Sequence, residues 1–182
     1  MAKLVKAVYG DALFELAVEE NKTDALFEEA QAVLASFNEN KDLIKFLNHP
    51  KIENEKKQEV IENVYEKFVS KDMTGFLVLI VSKGRYNDIP AILTYFIDKV
   101  KEYKHIGVAY VTSAKELNAG QKAAIEEKLL KTTKYQSFEM KYKIDESLIG
   151  GMIIRIGDRV VDSSIKTKLS GLSSELLKIQ LN

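Results

Sequence analysis

The sequence predicts an α+β multi-domain chain: an N-terminal six-helix bundle over residues 1–104, followed by a small α/β domain over residues 105–182 with a short mixed sheet and a C-terminal helix. Three observations predict it. The whole chain holds only two prolines, Pro50 and Pro90, and up to residue 104 the polar joints between apolar segments are short. Short joints force neighbouring helices to run antiparallel. From residue 106 the pattern turns to β-branched and alternating segments, the mark of strands.

The six helices are read at about 3–20, 24–38, 41–47, 53–69, 72–83 and 87–104. Joints such as Asn21-Lys22-Thr23-Asp24 and Asn48-His49-Pro50 separate them. Thr23 or Asp24 is placed to cap the second helix, and Asp72 the fifth, by accepting a bond from a free backbone N–H. Glu53 and Lys57 sit four apart on the fourth helix as a favourable ion pair. Residues 106–112 form a short β-branched strand, and residues 119 to about 132 a helix with Glu127 and Lys131 paired in the same way. Phe138, Met140, Tyr142 and Ile144 alternate with Glu139, Lys141 and Lys143, a half-buried strand. Residues 152–156 and 159–161 flank Gly157-Asp158, which suits a type II′ hairpin turn. From Ser163 to about Ile179 the stripe Ile165, Leu169, Leu172, Leu176, Ile179 recurs at helical spacing.

Composition excludes several functions. The 182 residues carry 27 basic and 27 acidic side chains and no net charge. A dedicated nucleic-acid binder needs surplus cations to replace phosphate counterions. Residues 1–104 hold 18 acids against 15 bases and residues 105–182 hold 12 bases against 9 acids, an asymmetry ordinary for a solvated surface. Without cysteine there are no disulfides, thiolate metal sites or cysteine nucleophiles. The N-terminal segment is amphipathic but carries Asp11, Glu15, Glu19 and Glu20, unlike a signal or transit peptide. The longest apolar run, Phe76 to Val81, spans about 9 Å as a helix against the ~30 Å of a bilayer core. Membrane association is therefore expected only through partners.

No catalytic or cofactor-binding constellation is present. There is no phosphate-cradling loop and no dinucleotide fingerprint. A zincin helix and a nucleophile elbow are also missing. His49 and His105 are read as polar joint residues, and no metal ligand set is nominated. Asp145-Glu146 and Asp158 with Asp162 are the best carboxylate pairs, and turn or cap roles account for both more economically than acid–base chemistry.

One feature exceeds what a small bundle needs. On the first helix Asp11, Glu15, Glu19 and Lys22 share one narrow sector, while Val5, Tyr9, Ala12, Leu13, Leu16 and Ala17 spread over the other half and beyond. The fifth helix, Met73 to Ser82, is apolar nearly all round. Both helices are central in their own bundle, or they form a groove for a helix from another protein.

Three segments resemble a known family. Residues 144–165, Ile-Asp-Glu-Ser-Leu-Ile-Gly-Gly-Met-Ile-Ile-Arg-Ile-Gly-Asp-Arg-Val-Val-Asp-Ser-Ser-Ile, resemble the signature of the delta subunit of F-type ATP synthases, whose mitochondrial counterpart is the oligomycin-sensitivity-conferring protein. Val8-Tyr-Gly-Asp-Ala-Leu-Phe14 and Lys83-Gly-Arg-Tyr-Asn-Asp-Ile-Pro90 resemble two further family segments in the right order. Gly10-Asp11 and Ser82-Lys83 depart from the usual residues.

The resemblance implies a non-catalytic, cofactor-free stator subunit. It would link the catalytic alpha/beta hexamer to the b subunits, so that proton- or sodium-driven rotation is coupled to ATP synthesis. It implies one copy per complex, a monomer when isolated, and a peripheral place on the cytoplasmic face of a bacterial membrane. It also implies a groove between the first and fifth helices for the N-terminal helix of an alpha subunit. That nominates Tyr9, Ala12, Leu13, Leu16, Phe76, Leu79, Ile80 and Lys83. Leu169, Leu172 and Leu176 are nominated for the b subunits, with packing on their own sheet as the alternative. Rival readings are a generic helix-binding adaptor, a small hydrolase and a nucleic-acid module.

Overall fold

The computed structural model describes residues 2–180, without the side chains of residues 2, 3, 41 and 173–180. The chain divides into two compact units, Met1–Lys101 and Glu102–Asn182.

The first unit is helical: α1 (Ala2–Glu19), α2 (Thr23–Glu39), α3 (Lys41–Asn48), α4 (Asn54–Tyr65), α5 (Lys71–Ser82), a 3-10 turn (Tyr86–Asp88) and α6 (Ile89–Tyr103). Apolar residues at spacings of three and four turn one face of each helix inward. On α2 these are Leu26, Ala30, Val33 and Phe37, and on α6 Ile89, Ile92, Leu93, Phe96, Ile97 and Val100. With the buried face of α5 they close into a single core.

Local details differ from the sequence reading where tertiary contacts compete. Thr23 and Asp24 lie inside the first turn of α2, and Lys22 before it makes no side-chain cap bond. The cap of α5 is Ser70, whose hydroxyl accepts the Met73 amide at 3.3 Å. Asp72 is thereby freed to accept from the Lys22 ammonium at 2.8 Å. Glu53 pairs with Lys56 at 3.7 Å rather than with Lys57, which is turned inward. The Lys57 ammonium sits 4.7 Å from the centre of the Tyr86 ring, so its charge meets the ring's negative face. Helix α4 stops at Tyr65, not near 69, because the Tyr65 carbonyl accepts from both Phe68 and Val69 and closes the chain into a turn. The Tyr65 ring stacks on Phe37 at 6.0 Å, its hydroxyl meets that of Ser36 at 3.1 Å, and burial pushes its pKa up.

The second unit holds β1 (Ile106–Ser113), α7 (Ala119–Thr132), β2 (Ser137–Ile144), a 3-10 turn (Glu146–Leu148), β3 (Met152–Ile156), β4 (Arg159–Asp162) and α8 (Ile165–Gln180). The sheet order is β2-β1-β3-β4, with β1 and β2 parallel and the other pairs antiparallel. A parallel pair requires a crossover, and α7 supplies it. Helix α7 opens on a capping box in which Asn118 and Gln121 each accept the other's amide, at 2.8 and 3.0 Å. Its Glu127–Lys131 pair forms as the spacing predicts. Ala109, Val111 and Phe138 pack against Ile125 and Leu129 of α7 on one face of the sheet. Gly157 has φ +55° and Asp158 an ordinary φ, as a type II′ turn requires.

Residues 145–167 tie the hairpin to the start of α8. Ser163 donates from both amide and hydroxyl to the Met152 carbonyl, at 2.9 and 2.8 Å, and the Ile165 amide donates to the Gly150 carbonyl at 3.0 Å. Gly151, at φ +76°, lets the two strands of chain pass, since a Cβ there would stand 2.4 Å from the Ser163 carbonyl oxygen. Between them, Ile149 adopts φ 66°, ψ −40° while the Gly150 amide donates to the Leu148 carbonyl at 2.7 Å. This is the strained, positive-φ form of the γ-turn, here on an exposed β-branched residue. Such backbone strain costs about 1–3 kcal/mol. Against the roughly 0.5–1 kcal/mol entropy cost of glycine, Ile149→Gly should stabilise this unit by about 1 kcal/mol. Urea unfolding of the intact chain measures it, and a lower midpoint would show that contacts of Ile149 outweigh the strain.

Candidate functional site

The two helices singled out in the sequence are neighbours. The Lys22–Asp72 pair joins the end of α1 to the start of α5. Helix α1 also touches the 3-10 turn that follows the end of α5. A 12-residue helix is about 18 Å long, so both contacts hold together when α5 runs back along α1. Asp72, with Glu20, raises the Lys22 pKa above its ordinary value, so this tie is fully charged at neutral pH.

The other flank of α1 is taken up by α6. A Cβ on Gly10 would lie 2.4 Å from Cδ1 of Tyr95, so glycine lets that ring rest on α1. The Tyr95 hydroxyl donates to Asp11 at 3.0 Å, and Lys99 donates to the same carboxylate oxygen. The Lys99 ammonium also lies 5.0 Å from the centre of the Phe14 ring. Lys99 first, then the Tyr95 hydroxyl, hold the Asp11 pKa below the usual aspartate range. Gly10-Asp11, a departure from the family pattern in sequence, is thus a matched set with Tyr95 and Lys99. The Asp11 carboxylate is thus tied to α6 while the side chain stays 38% exposed.

The eight residues nominated for the groove separate into two groups. Leu13 and Ile80 are 1% and 0% exposed and belong to the core. The family resemblance nominated both as groove lining, but their side chains are enclosed in the helical core and offer no surface to a partner. Tyr9, Leu16 and Phe76 are half-buried, Ala12 and Lys83 are exposed, and Leu79 is 47% exposed. Two further apolar residues of α1 that the sequence reading did not nominate are exposed. Leu4 and Val8 are 72% and 58% exposed and stand four apart in line with Ala12. The spacing Leu4, Val8, Ala12 was visible in the sequence, but Asp11, Glu15 and Glu19 mark the same sector of the helix as a solvated one. Exposed Gly75 lies four residues before Leu79 with nothing within 4 Å of a built Cβ, so the α5 side is flat enough for a close approach.

A second apolar surface lies in the other unit. Met152, Ile154, Ile156 and Val161 line an opening of about 750 Å³ against Ile125, Leu129 and Lys128 of α7, with Arg159 at its rim. The alternation along β3 foretold one apolar face; that α7 leaves part of it open follows from the sheet order. Leu169 and Leu172 are exposed on α8 rather than packed on the sheet. The Leu176 side chain lies outside the described residues.

The carboxylate candidates are turn and cap groups. Asp145 accepts the Ser147 amide at 3.0 Å. Asp162 accepts the Ser164 amide at 2.8 Å and the Thr167 hydroxyl at 2.7 Å, while the Ser164 hydroxyl caps α8 by accepting the Thr167 amide at 3.3 Å. Ser147 holds the Asp145 pKa below the usual range, and the Ser164 amide, then Thr167, do the same for Asp162. A lowered folded pKa means that the contribution is present above the ordinary aspartate range and lost as pH falls through the depressed value. The amide resonances of Ser164 and Thr167 should therefore titrate together, below the range of a free aspartate, in ¹⁵N–¹H spectra. A midpoint in the ordinary range would remove Asp162 from the cap. His49 is exposed in its turn, where it accepts the Lys51 amide at 3.3 Å. His105 is exposed at φ 54° just before β1. Among the described residues no cluster of three or more metal-ligating side chains occurs, and no helix is long and apolar enough to cross a membrane.

The profile of the family described as "ATP synthase delta (OSCP) subunit" matches residues 5–176. The ATP synthase subunit delta of Lachnoclostridium phytofermentans is 59% identical over 181 residues, covering 100% of both chains. That of Acetivibrio thermocellus is 35% identical over 176 residues, covering 97% of this chain and 99% of the relative. Among solved structures, a chain of the Toxoplasma gondii mitochondrial ATP synthase hexamer superposes with a TM-score of 0.74 at 17% identity, over 94% of this chain and 97% of that one, a likeness of fold. The chain therefore belongs to the ATP synthase delta (OSCP) subunit family, and it is a non-catalytic component of the peripheral stalk of an F-type ATP synthase.

Proposed function

We propose that this subunit is a two-ended clamp. Its helical unit holds the N-terminal helix of an alpha subunit on the α1–α5 face, and its α/β unit holds the ends of the b subunits. The coupling is mechanical. Ion flow turns the rotor against the catalytic hexamer, and a hexamer free to co-rotate does no work at its nucleotide sites. One copy per complex suffices, and the subunit sits at the membrane's cytoplasmic face only through its partners.

The observation that carries this reading is the exposed apolar band of Leu4, Val8, Ala12 and Leu79 beside half-buried Tyr9, Leu16 and Phe76. Exposed apolar side chains grouped on neighbouring helices mark an interaction site. An amphipathic helix laid into such a face is a common recognition mode. Full burial of an aliphatic or aromatic anchor is worth about 1.5–3 kcal/mol, so several anchors can exceed the ~4–15 kcal/mol cost of association. The loss of Leu13 and Ile80 as anchors is offset by Leu4 and Val8. For the b subunits, the apolar opening between α7 and β3–β4 and the exposed Leu169 and Leu172 of α8 support the α/β unit as their site.

The test is calorimetry of the full chain with a synthetic peptide of the first twenty or so alpha residues, alongside co-purification of alpha and b from membranes with the tagged subunit. Saturable peptide binding and recovery of both partners are expected. Absence of peptide binding by a folded chain would remove the alpha half of the proposal.

A further inference from the structure

The α/β unit leaves two apolar surfaces uncovered, and they match. One is the opening beside α7, floored by Met152, Ile154 and Ile156 of β3 and by Val161, itself 64% exposed. Ile125 and Leu129 of α7 cover the β1–β2 half of this face and leave the β3–β4 half partly open. The other is the outer stripe of α8, where Leu169 and Leu172 are 52% and 56% exposed. In sequence the stripe continues through Leu176 and Ile179. From Met152 to Ile156 β3 runs about 13 Å, and residues 172–180 span about the same length as a helix. Lys128 and Arg159 stand at the opening and pair with no acid among the described residues, while Glu175 lies in the segment between Leu172 and Leu176.

The start of α8 is fixed. The Ser164 hydroxyl accepts the Thr167 amide, Asp162 holds both Ser164 and Thr167, and the Ile165 amide donates to the Gly150 carbonyl. Further on the helix is weak, because Ser170, Gly171, Ser173 and Ser174 all rank well below alanine as helix formers, Gly171 the most. Gly/Ser pairs are where helices kink. Gly171 lies about 9 Å along the axis from Ile165, whose partner Gly150 is two residues from Met152. A break at Gly171 therefore leaves residues 172–180 within reach of the opening. We propose that α8 carries a strap. In the free subunit the helix breaks at Gly171, and residues 172–180 lay Leu172, Leu176 and Ile179 on Met152, Ile154 and Ile156, with Glu175 toward Lys128 and Arg159. The straight α8 is the open form, which leaves apolar surface in water on both sides; closure removes it. Resting on the b-subunit docking proposed above, the strap guards that site: a b segment enters the opening by displacing it, so the opening stays covered until the partner arrives.

The chain has no cysteine, so Lys178→Cys gives a single site for a nitroxide. In the ¹⁵N-labelled full chain the expected result is broadening of the Ile154, Ile156 and Leu129 amides. Gly171→Ala should reduce that broadening, because alanine favours the straight helix and a Cβ there meets nothing within 4 Å. Broadening absent from these amides, or unchanged by Gly171→Ala, overturns the strap. A mixture of nitroxide-bearing ¹⁴N chain with nitroxide-free ¹⁵N chain should leave the same amides sharp; broadening there would put a second copy in the opening and also overturn it. Adding a synthetic peptide of the C-terminal end of a b subunit should abolish the broadening. Gly171→Ala should tighten binding of that peptide about two- to fivefold, since less of the chain is closed. A peptide that binds while the broadening persists overturns the guarding role. Peptide-induced shift changes absent from the α/β unit would instead overturn the b-subunit reading, with the strap still standing on the first measurement.

Discussion

Ala12→Asp should leave the chain folded and reduce its affinity for the alpha N-terminal peptide roughly a hundredfold or more, about 3 kcal/mol. Ala12 is exposed on α1 between Val8 and Leu16, so the free chain hydrates the new carboxylate at no great cost to folding. In the complex that carboxylate would be covered by an apolar helix face with no cation beside it. The exposed cations of α5, Lys71 at its start and Lys83 just past its end, stand at the two extremes of the helix. A buried, unpaired charge is among the few single changes that reach this size. Calorimetry with the peptide reads the loss, and circular dichroism confirms the fold. Wild-type affinity in a folded variant would mean that the partner does not cover Ala12.

The second large effect separates support from surface. Leu13→Ala should cost about 2–5 kcal/mol of stability, because the side chain is 1% exposed and its removal leaves a cavity in the helical core. Leu79→Ala should change stability by no more than about 0.5 kcal/mol, since nearly half of the side chain already faces water. The binding order is reversed: Leu79→Ala should weaken peptide binding by about 1–2 kcal/mol, while a folded Leu13→Ala chain should bind nearly as the wild type does. Urea unfolding and calorimetry on the same two variants check both halves. If Leu79→Ala proved as destabilising as Leu13→Ala, the α1–α5 face would be closed in solution and not open for a partner.

Much of the fold was legible because it rests on periodicity. The four-and-three spacing of Leu26, Ala30, Val33 and Phe37 specifies α2 whatever it packs against. The alternation from Phe138 to Ile144 likewise specifies β2, and Gly157-Asp158 the hairpin. The errors lie at helix ends. There a capping bond is worth only about 1 kcal/mol, and a longer-range contact can displace it. Asp72 was the natural cap of α5 by sequence, yet it pairs with Lys22 fifty residues away and leaves the cap to Ser70. Lys57 was read as half of a surface pair and instead lies under Tyr86.

The candidate site divides along the same line. That α1 and α5 carry more apolar surface than one stripe needs is a property of composition and spacing, readable from Val5 to Ala17 and from Met73 to Ser82. The family too is readable, because Gly151, Gly157 and the Asp162–Ser164–Thr167 cap are bound to local backbone geometry that the sequence must encode locally. Which of the apolar residues face water is a different matter. Leu13 and Leu79 are equally greasy, and each sits on the expected side of its helix. Only the placement of the neighbouring helices buries the first and exposes the second. Hydrophobic periodicity identifies a face, but exposure depends on how much of that face other elements cover, and coverage is a sum over residues far apart in the chain.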